Sequence, residues 1–108
     1  MTYQIEMYQT LAGKKPFAQW FDTLKDAKAK ALILDRLDRV KLGNFGDTTY
    51  VGDGVSELRF HSGPGYRLYY TKSGTQIVVL LCGGAKGTQP KDIKLAKQYL
   101  ADFKLREI

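Results

Sequence analysis

Polar and apolar residues alternate at the start of the chain, through Tyr3-Gln-Ile-Glu-Met-Tyr8, and this period of two predicts a strand over 3–8. The period then changes. Phe17, Trp20, Phe21 and Leu24 fall at i, i+3, i+4 and i+7, one stripe of a helix that Pro16 can open because the first helical position needs no N–H. Asp26 predicts the N-cap of a second helix running to about Leu42, with Gly43 as its stop. Ala31, Leu34, Leu37 and Val40, with Leu32 or Ile33 beside them, predict its buried stripe, and Asp35 with Arg39 forms an i,i+4 pair outside it. The two helices read as an antiparallel hairpin packed on one face of a sheet.

Residues 44–54 are rich in turn formers and read as a loop. Three strands follow, Val55–His61, Tyr66–Thr71 and Gln76–Cys82, the last apolar on both sides as in a central strand covered on both faces. Ser62-Gly63-Pro64-Gly65 turns the chain between the first two, and Ser73-Gly74 predicts a two-residue turn between the last two. After Gly83-Gly84 a loop leads to Pro90, which opens a final helix carrying Ile93, Ala96, Leu100 and Phe103. The order β-α-α-β-β-β-α predicts a small α+β domain with a mostly antiparallel sheet.

At 108 residues the chain has room for one domain, 1–108, and not for two. A lone cysteine and a lone histidine exclude an internal disulfide framework and a conventional zinc site, and no cofactor is expected. The longest apolar run, Ile77 to Cys82, is far short of the ~20 residues that span a bilayer. Nothing at Met1-Thr-Tyr-Gln-Ile-Glu reads as a secretion signal, so the expectation is a cytoplasmic protein with no membrane partner.

Charge narrows the class of partner. The net charge is +6, yet residues 1–53 hold 8 basic and 7 acidic side chains while residues 54–108 hold 9 and 4. Between Arg59 and Lys97 seven basic residues face one acidic residue, Asp92. Such asymmetry suits a polyanion, either nucleic acid or an acidic protein segment, or else simply a well-solvated surface.

Strand register sharpens this. With 62–64 as the loop, Arg59 lies opposite Arg67; with a five-residue loop His61 lies opposite Arg67 and Arg59 opposite Tyr69. A one-residue slip would bury the arginines under the helices, so only these two registers fit, and in both Arg59, His61, Arg67 and Tyr69 share a face. Like charges facing across strands repel. An anion held by two guanidinium forks would relieve that, or Glu57 on the same face would neutralise one arginine. A second candidate is Gly83-Gly84-Ala85-Lys86-Gly87-Thr88-Gln89-Pro90, which runs into a helix N-terminus ringed by Lys86, Lys91 and Lys94. Its spacing is not that of a Walker P-loop, and glycines before a helix more often mark just a turn. His61 has the chemistry of an acid or base, although a lone histidine at a strand end also suits a bare surface. Cys82 ends a buried strand and reads as a core thiol.

At Glu57-Leu58-Arg59, Gly65-Tyr66-Arg67-Leu68-Tyr69-Tyr70 and Lys86 through Lys97 (Lys-Gly-Thr-Gln-Pro-Lys-Asp-Ile-Lys-Leu-Ala-Lys), the sequence resembles the RelE/ParE superfamily of toxins. More narrowly it is similar to the HigB-like, phage-derived addiction module killer branch, over nearly the whole chain. The resemblance implies a RelE-like fold and the toxin of a type II toxin–antitoxin system, a metal-independent endoribonuclease that cuts mRNA on the ribosome. It implies a co-encoded cognate antitoxin, often a helix-turn-helix protein, with ribosome and mRNA as the other partners. It assigns Arg67 to the transition-state phosphate, Arg59 to the same or the neighbouring phosphate, and Lys86 to the leaving oxygen. His61 or Tyr69 would move the proton, Tyr66 or Tyr69 would stack on a base, and Lys72, Lys91 and Lys94 would hold RNA. The cluster of His, Asp and Tyr that relatives carry near the C-terminus is missing here. The ParE branch, sharing the fold, offers the alternative of a toxin that inhibits DNA gyrase without cutting RNA.

Overall fold

The computed structural model describes residues 2–106. Its elements are β1 (Gln4–Met7), α1 (Pro16–Thr23), α2 (Ala27–Lys41), β2 (Thr48–Gly52), β3 (Val55–Arg59), β4 (Tyr66–Ser73), β5 (Ile77–Ala85), a 3-10 turn (Lys86–Thr88) and α3 (Gln89–Arg106). The strands make one sheet in the order β1-β5-β4-β3-β2. β1 runs parallel to β5, and the other neighbours are antiparallel. This is the expected α+β architecture with one strand more than the sequence reading had.

That strand is β2. The segment 44–54, read as a loop, pairs Thr48 with Leu58 and Gly52 with Val55. Asp53 and Gly54 turn the chain with φ of 53° and 86°. Two positive φ values in a two-residue connection make the turn whose twist matches that of paired strands, so Asp-Gly is a hairpin signal. Tyr50 supports the turn by accepting a hydrogen bond from the Gly54 N–H at 2.9 Å.

The sheet carries helices on both faces. Phe17 of α1 and Ile33, Leu37 and Val40 of α2 bury against Leu58, Phe60, Leu68, Tyr70, Val78 and Leu80. On the other face Ala96 and Leu100 of α3 bury against Val55, Tyr69, Val79 and Leu81. Alternate side chains of β3 and β4 therefore point under the α1/α2 layer or under α3. Each fully buried Leu or Val contributes about 1.5–3 kcal/mol relative to exposure. The sequence anticipates the dual coverage in one place, the uninterrupted apolar run of β5.

Local signals held where their chemistry is specific. The Asp26 carboxylate accepts from the Ala29 N–H at 3.0 Å and caps α2, while Gly43 follows its end at φ 88°. The buried stripe of α2 is rotated from the expected one: Ala29, Ile33, Leu37 and Val40 are inside, whereas Ala31 and Leu34 are exposed. The β4–β5 connection spans three residues, 74–76, because Ser73 pairs with Ile77. β5 also runs on through Gly83-Gly84-Ala85, which the sequence reading had placed in a loop. No helix among the described residues is long and apolar enough to cross a membrane.

Candidate functional site

The β3–β4 register is the first of the two that the sequence allows. Arg59 stands opposite Arg67, Leu58 opposite Leu68 and Glu57 opposite Tyr69. Across β4, Arg67 faces Gly84 of β5. The row Glu57–Tyr69–Cys82 lies under α3, and in the row Arg59–Arg67–Gly84 the last residue packs against Thr88 and Asp92 at the start of that helix.

The two arginines are tolerated face to face because each has its own carboxylate. Arg59 donates from Nη2 and Nε to Asp47 Oδ1 at 2.9 and 3.2 Å. Arg67 is buried, and its Nε, which has no hydrogen-bond partner among the described residues, lies 3.9 Å from Oε2 of Glu57, a carboxylate only 2% exposed. Nη1 of Arg67 donates to the Gly65 and Tyr66 carbonyls at 3.2 and 3.4 Å. Glu57 is seated by Gln89, whose amide donates to both carboxylate oxygens at 2.9 and 3.2 Å. So Glu57 does neutralise one arginine, as one of the two sequence alternatives had it.

Asp47 also meets His61, with Nε2 at 2.6 Å from Oδ2. The His61 bond, followed by the Arg59 bonds, holds the Asp47 carboxyl below its ordinary value. The imidazole itself is largely solvent-exposed, 77% by side chain, which leaves its other nitrogen open to a substrate. Asp47 thus joins Arg59 and His61 in one cluster, although it sits in the segment read as a loop.

Arg36 was missed. It reads as an outer-face residue of α2, but its Nη2 donates to the Arg59 carbonyl at 3.1 Å and its guanidinium lies over Phe60, 4.6 Å from the ring centre. Burial lowers its pKa from the ordinary arginine value. The signal was available in its position three residues after buried Ile33 and one before buried Leu37, at the border of the apolar stripe.

Lys86 closes the other side. Its backbone N–H donates to the Pro64 carbonyl at 3.4 Å, tying the 3-10 turn to the β3–β4 loop. Gly65, at φ 74°, makes this convergence possible: a Cβ there would sit 3.3 Å from the Lys86 Cβ and 3.5 Å from Arg67 Nη1. The ammonium of Lys86 is exposed, as are Lys91 and Lys94 on the first turns of α3.

Three other sequence candidates lie elsewhere. Tyr69 has no exposed surface and sits beneath α3; burial raises its pKa well above that of a free tyrosine, so it can neither stack on a base nor relay a proton. Tyr66 points to the α1 side, edge-on to Trp20 with ring centres 6.0 Å apart. Lys72 lies over the Phe45 and Tyr3 rings at 4.5 and 5.6 Å, on the face opposite the arginines and towards the far end of β4. Both follow from strand alternation: even-numbered residues of β4 face α1 and α2. Cys82 is a core thiol, pushed by burial up to about 12.

Gly83 and Gly84, part of the second candidate, serve packing. A Cβ on Gly83 would collide with the Trp20 indole, and one on Gly84 with the Asp92 carboxylate. An apolar hollow of about 590 Å³ between α1 and α2, over Ile5, Met7 and Leu80, lies across the sheet from the arginines.

The arrangement is a row of basic side chains, Lys86, Arg67 and Arg59, with the imidazole of His61 at its end and the carboxylates of Glu57 and Asp47 beside the guanidinium groups. Guanidinium and ammonium groups are the side chains that pair with anionic oxygens through charge-assisted hydrogen bonds.

A family model described as Phage derived protein Gp49-like (DUF891) matches residues 19–101, a span that contains every residue of this cluster. An uncharacterized protein of Haemophilus influenzae is 47% identical over 97 residues, covering 90% of this chain and 92% of the relative.

Proposed function

The chain belongs to the Gp49-like family of phage-derived proteins, and on that premise we propose that it is the toxin of a type II toxin–antitoxin pair. In this reading the single domain 1–108 is an mRNA endoribonuclease that works on the ribosome and is neutralised by a co-encoded antitoxin. The observation that carries the reading is the cross-strand pair Arg59–Arg67, flanked by His61 on one side and Lys86 on the other.

The chemistry is attack of a ribose 2′-oxygen on the adjacent phosphorus. The new O–P bond forms as the bond to the 5′-oxygen breaks, leaving a 2′,3′-cyclic phosphate and a 5′-hydroxyl. Arg67 and Arg59 hold the non-bridging oxygens, where charge grows in the transition state; one such donor is worth roughly 10²–10³ in rate. His61, oriented by Asp47 at 2.6 Å, takes the 2′-hydroxyl proton. General base help of this kind contributes roughly 10²–10⁴. Lys86 stabilises the leaving 5′-oxygen, which takes its proton from solvent. Lys91 and Lys94 hold the flanking backbone. With Tyr69 buried and Tyr66 turned towards Trp20, this protein positions RNA by charge, and the ribosome supplies base alignment.

The test is a cleavage assay with purified protein, programmed ribosomes and end-labelled message. Products ending in a cyclic phosphate, formed only when ribosomes are present, are expected. Intact message, together with inhibition of DNA gyrase supercoiling by the same protein, would replace this reading with that of a gyrase toxin.

A further inference from the structure

A charged side chain that is 2% exposed is rare unless it is paired, and Glu57 sits on β3, one strand in from the sheet edge, against the first turn of α3. No substrate reaches it there. Among the described residues its charged partner is Arg67, at 3.9 Å, and its carboxylate accepts two hydrogen bonds from Gln89. Gln89 is the first residue of α3, so the carboxylate is pinned between the helix start and the guanidinium.

Arg67 is held from two directions. Glu57 lies beside Nε, and the Gly65 and Tyr66 carbonyls accept from Nη1. Two carbonyl acceptors on Nη1 and a carboxylate charge beside Nε, which itself has no hydrogen-bond partner among the described residues, act on two sides of a planar group and orient it. The guanidinium, 10% exposed by side chain, is thereby held between Arg59 across the strand and Lys86 beyond Gly65.

We propose that Glu57, seated by Gln89, is a positioning residue: it sets the direction of the Arg67 guanidinium and acts on RNA only through it. This rests on the nuclease reading above and adds to it a role for a residue that contributes no proton and touches no substrate. Positioning of this kind acts on the reacting geometry more than on binding, since misplacing a catalytic group by about 1 Å costs on the order of 10² in rate. Ground-state affinity comes instead from Lys86, Lys91, Lys94 and Arg59, which Glu57 does not touch.

The experiment measures kcat and KM for cleavage of ribosome-bound message by wild type, Glu57→Gln, Arg67→Ala and the double variant, with melting temperature read on each. Glu57→Gln keeps the size and an acceptor for Gln89 but removes the charge. The expected result is a fall in kcat of about 10-fold to 100-fold with KM within about threefold of wild type. In the Arg67→Ala background the same change should cost nothing further, because its effect runs through Arg67. Should Glu57→Gln fail to fold, Gln89→Ala, at a partly exposed position that leaves the ion pair in place, is expected to lower kcat several-fold with KM held. A folded Glu57→Gln protein with wild-type kcat, beside an inactive Arg67→Ala protein, overturns the inference and leaves the nuclease reading standing. Equal losses from Glu57→Gln in both backgrounds overturn it too, since Glu57 would then act independently. A fully active Arg67→Ala protein overturns both.

Discussion

Gly83 separates two accounts of the same glycine-rich stretch. If Gly83 and Gly84 let backbone approach a phosphate, replacing Gly83 by alanine harms activity and spares stability. The structure puts Gly83 inside β5, opposite Leu68, where a Cβ would collide with three atoms of the Trp20 indole ring. Trp20 is not a tip that can swing aside: it packs within 6.0 Å of both the Phe17 and Tyr66 rings, so relief requires α1 to lift from the sheet. Overpacking of this kind costs about 1–3 kcal/mol, and each kcal/mol lowers Tm by roughly 4–8 °C in a small domain. Gly83→Ala should therefore melt roughly 4–24 °C below wild type by circular dichroism. Gly87→Ala is the internal control, since nothing lies within 4 Å of its added methyl group. It should be neutral or stabilising by about 0.4–1 kcal/mol through the unfolded state. If the two variants melt together, the packing account of Gly83 is wrong.

Two further expectations follow from the burial of Cys82 and the pairing of Asp47. The Cys82 thiol, pushed up to about 12 by burial, should resist Ellman's reagent at pH 8 in the native protein and react within seconds in denaturant; prompt stoichiometric labelling of the native chain would contradict its core placement. Asp47, held below its ordinary value by His61 and Arg59, contributes stability that is present above the unfolded carboxylate value and lost as pH falls through the lowered one. From about pH 4 downward the urea midpoint of wild type should fall more steeply than that of Asp47→Asn, and parallel curves would remove the pairing from the account.

The parts of the fold that were legible in sequence are those with a local cause. The Asp26 cap, the Gly43 stop and the α3 stripe depend on neighbours in the chain, and the Arg59–Arg67 register follows from period-two patterning. β2 was equally local, an Asp-Gly turn beside Thr-Thr-Tyr-Val, but the glycines at 46, 52 and 54 outweighed the β-formers in the reading. Rotation of the α2 stripe was not local, because Ala31 and Leu34 differ from Ile33 only in which side the sheet lies on. The site divides in the same way. A pattern can place Arg59 and Arg67 on one face, but whether that face is open depends on α3, which arrives from the other end of the chain and buries Tyr69 and Glu57. Asp47 and Arg36 reach the cluster through tertiary contacts that leave only a faint trace in spacing.

The most direct test of the central claim is primer extension on a reporter message after brief induction of wild type or Arg67→Ala, each with transcripts that carry or lack a start codon. The account predicts cuts confined to the translated message and absent with Arg67→Ala, whose protein remains folded by circular dichroism. Cuts of equal strength from a folded Arg67→Ala protein, or growth arrest by wild type with no cut in either message, would contradict it.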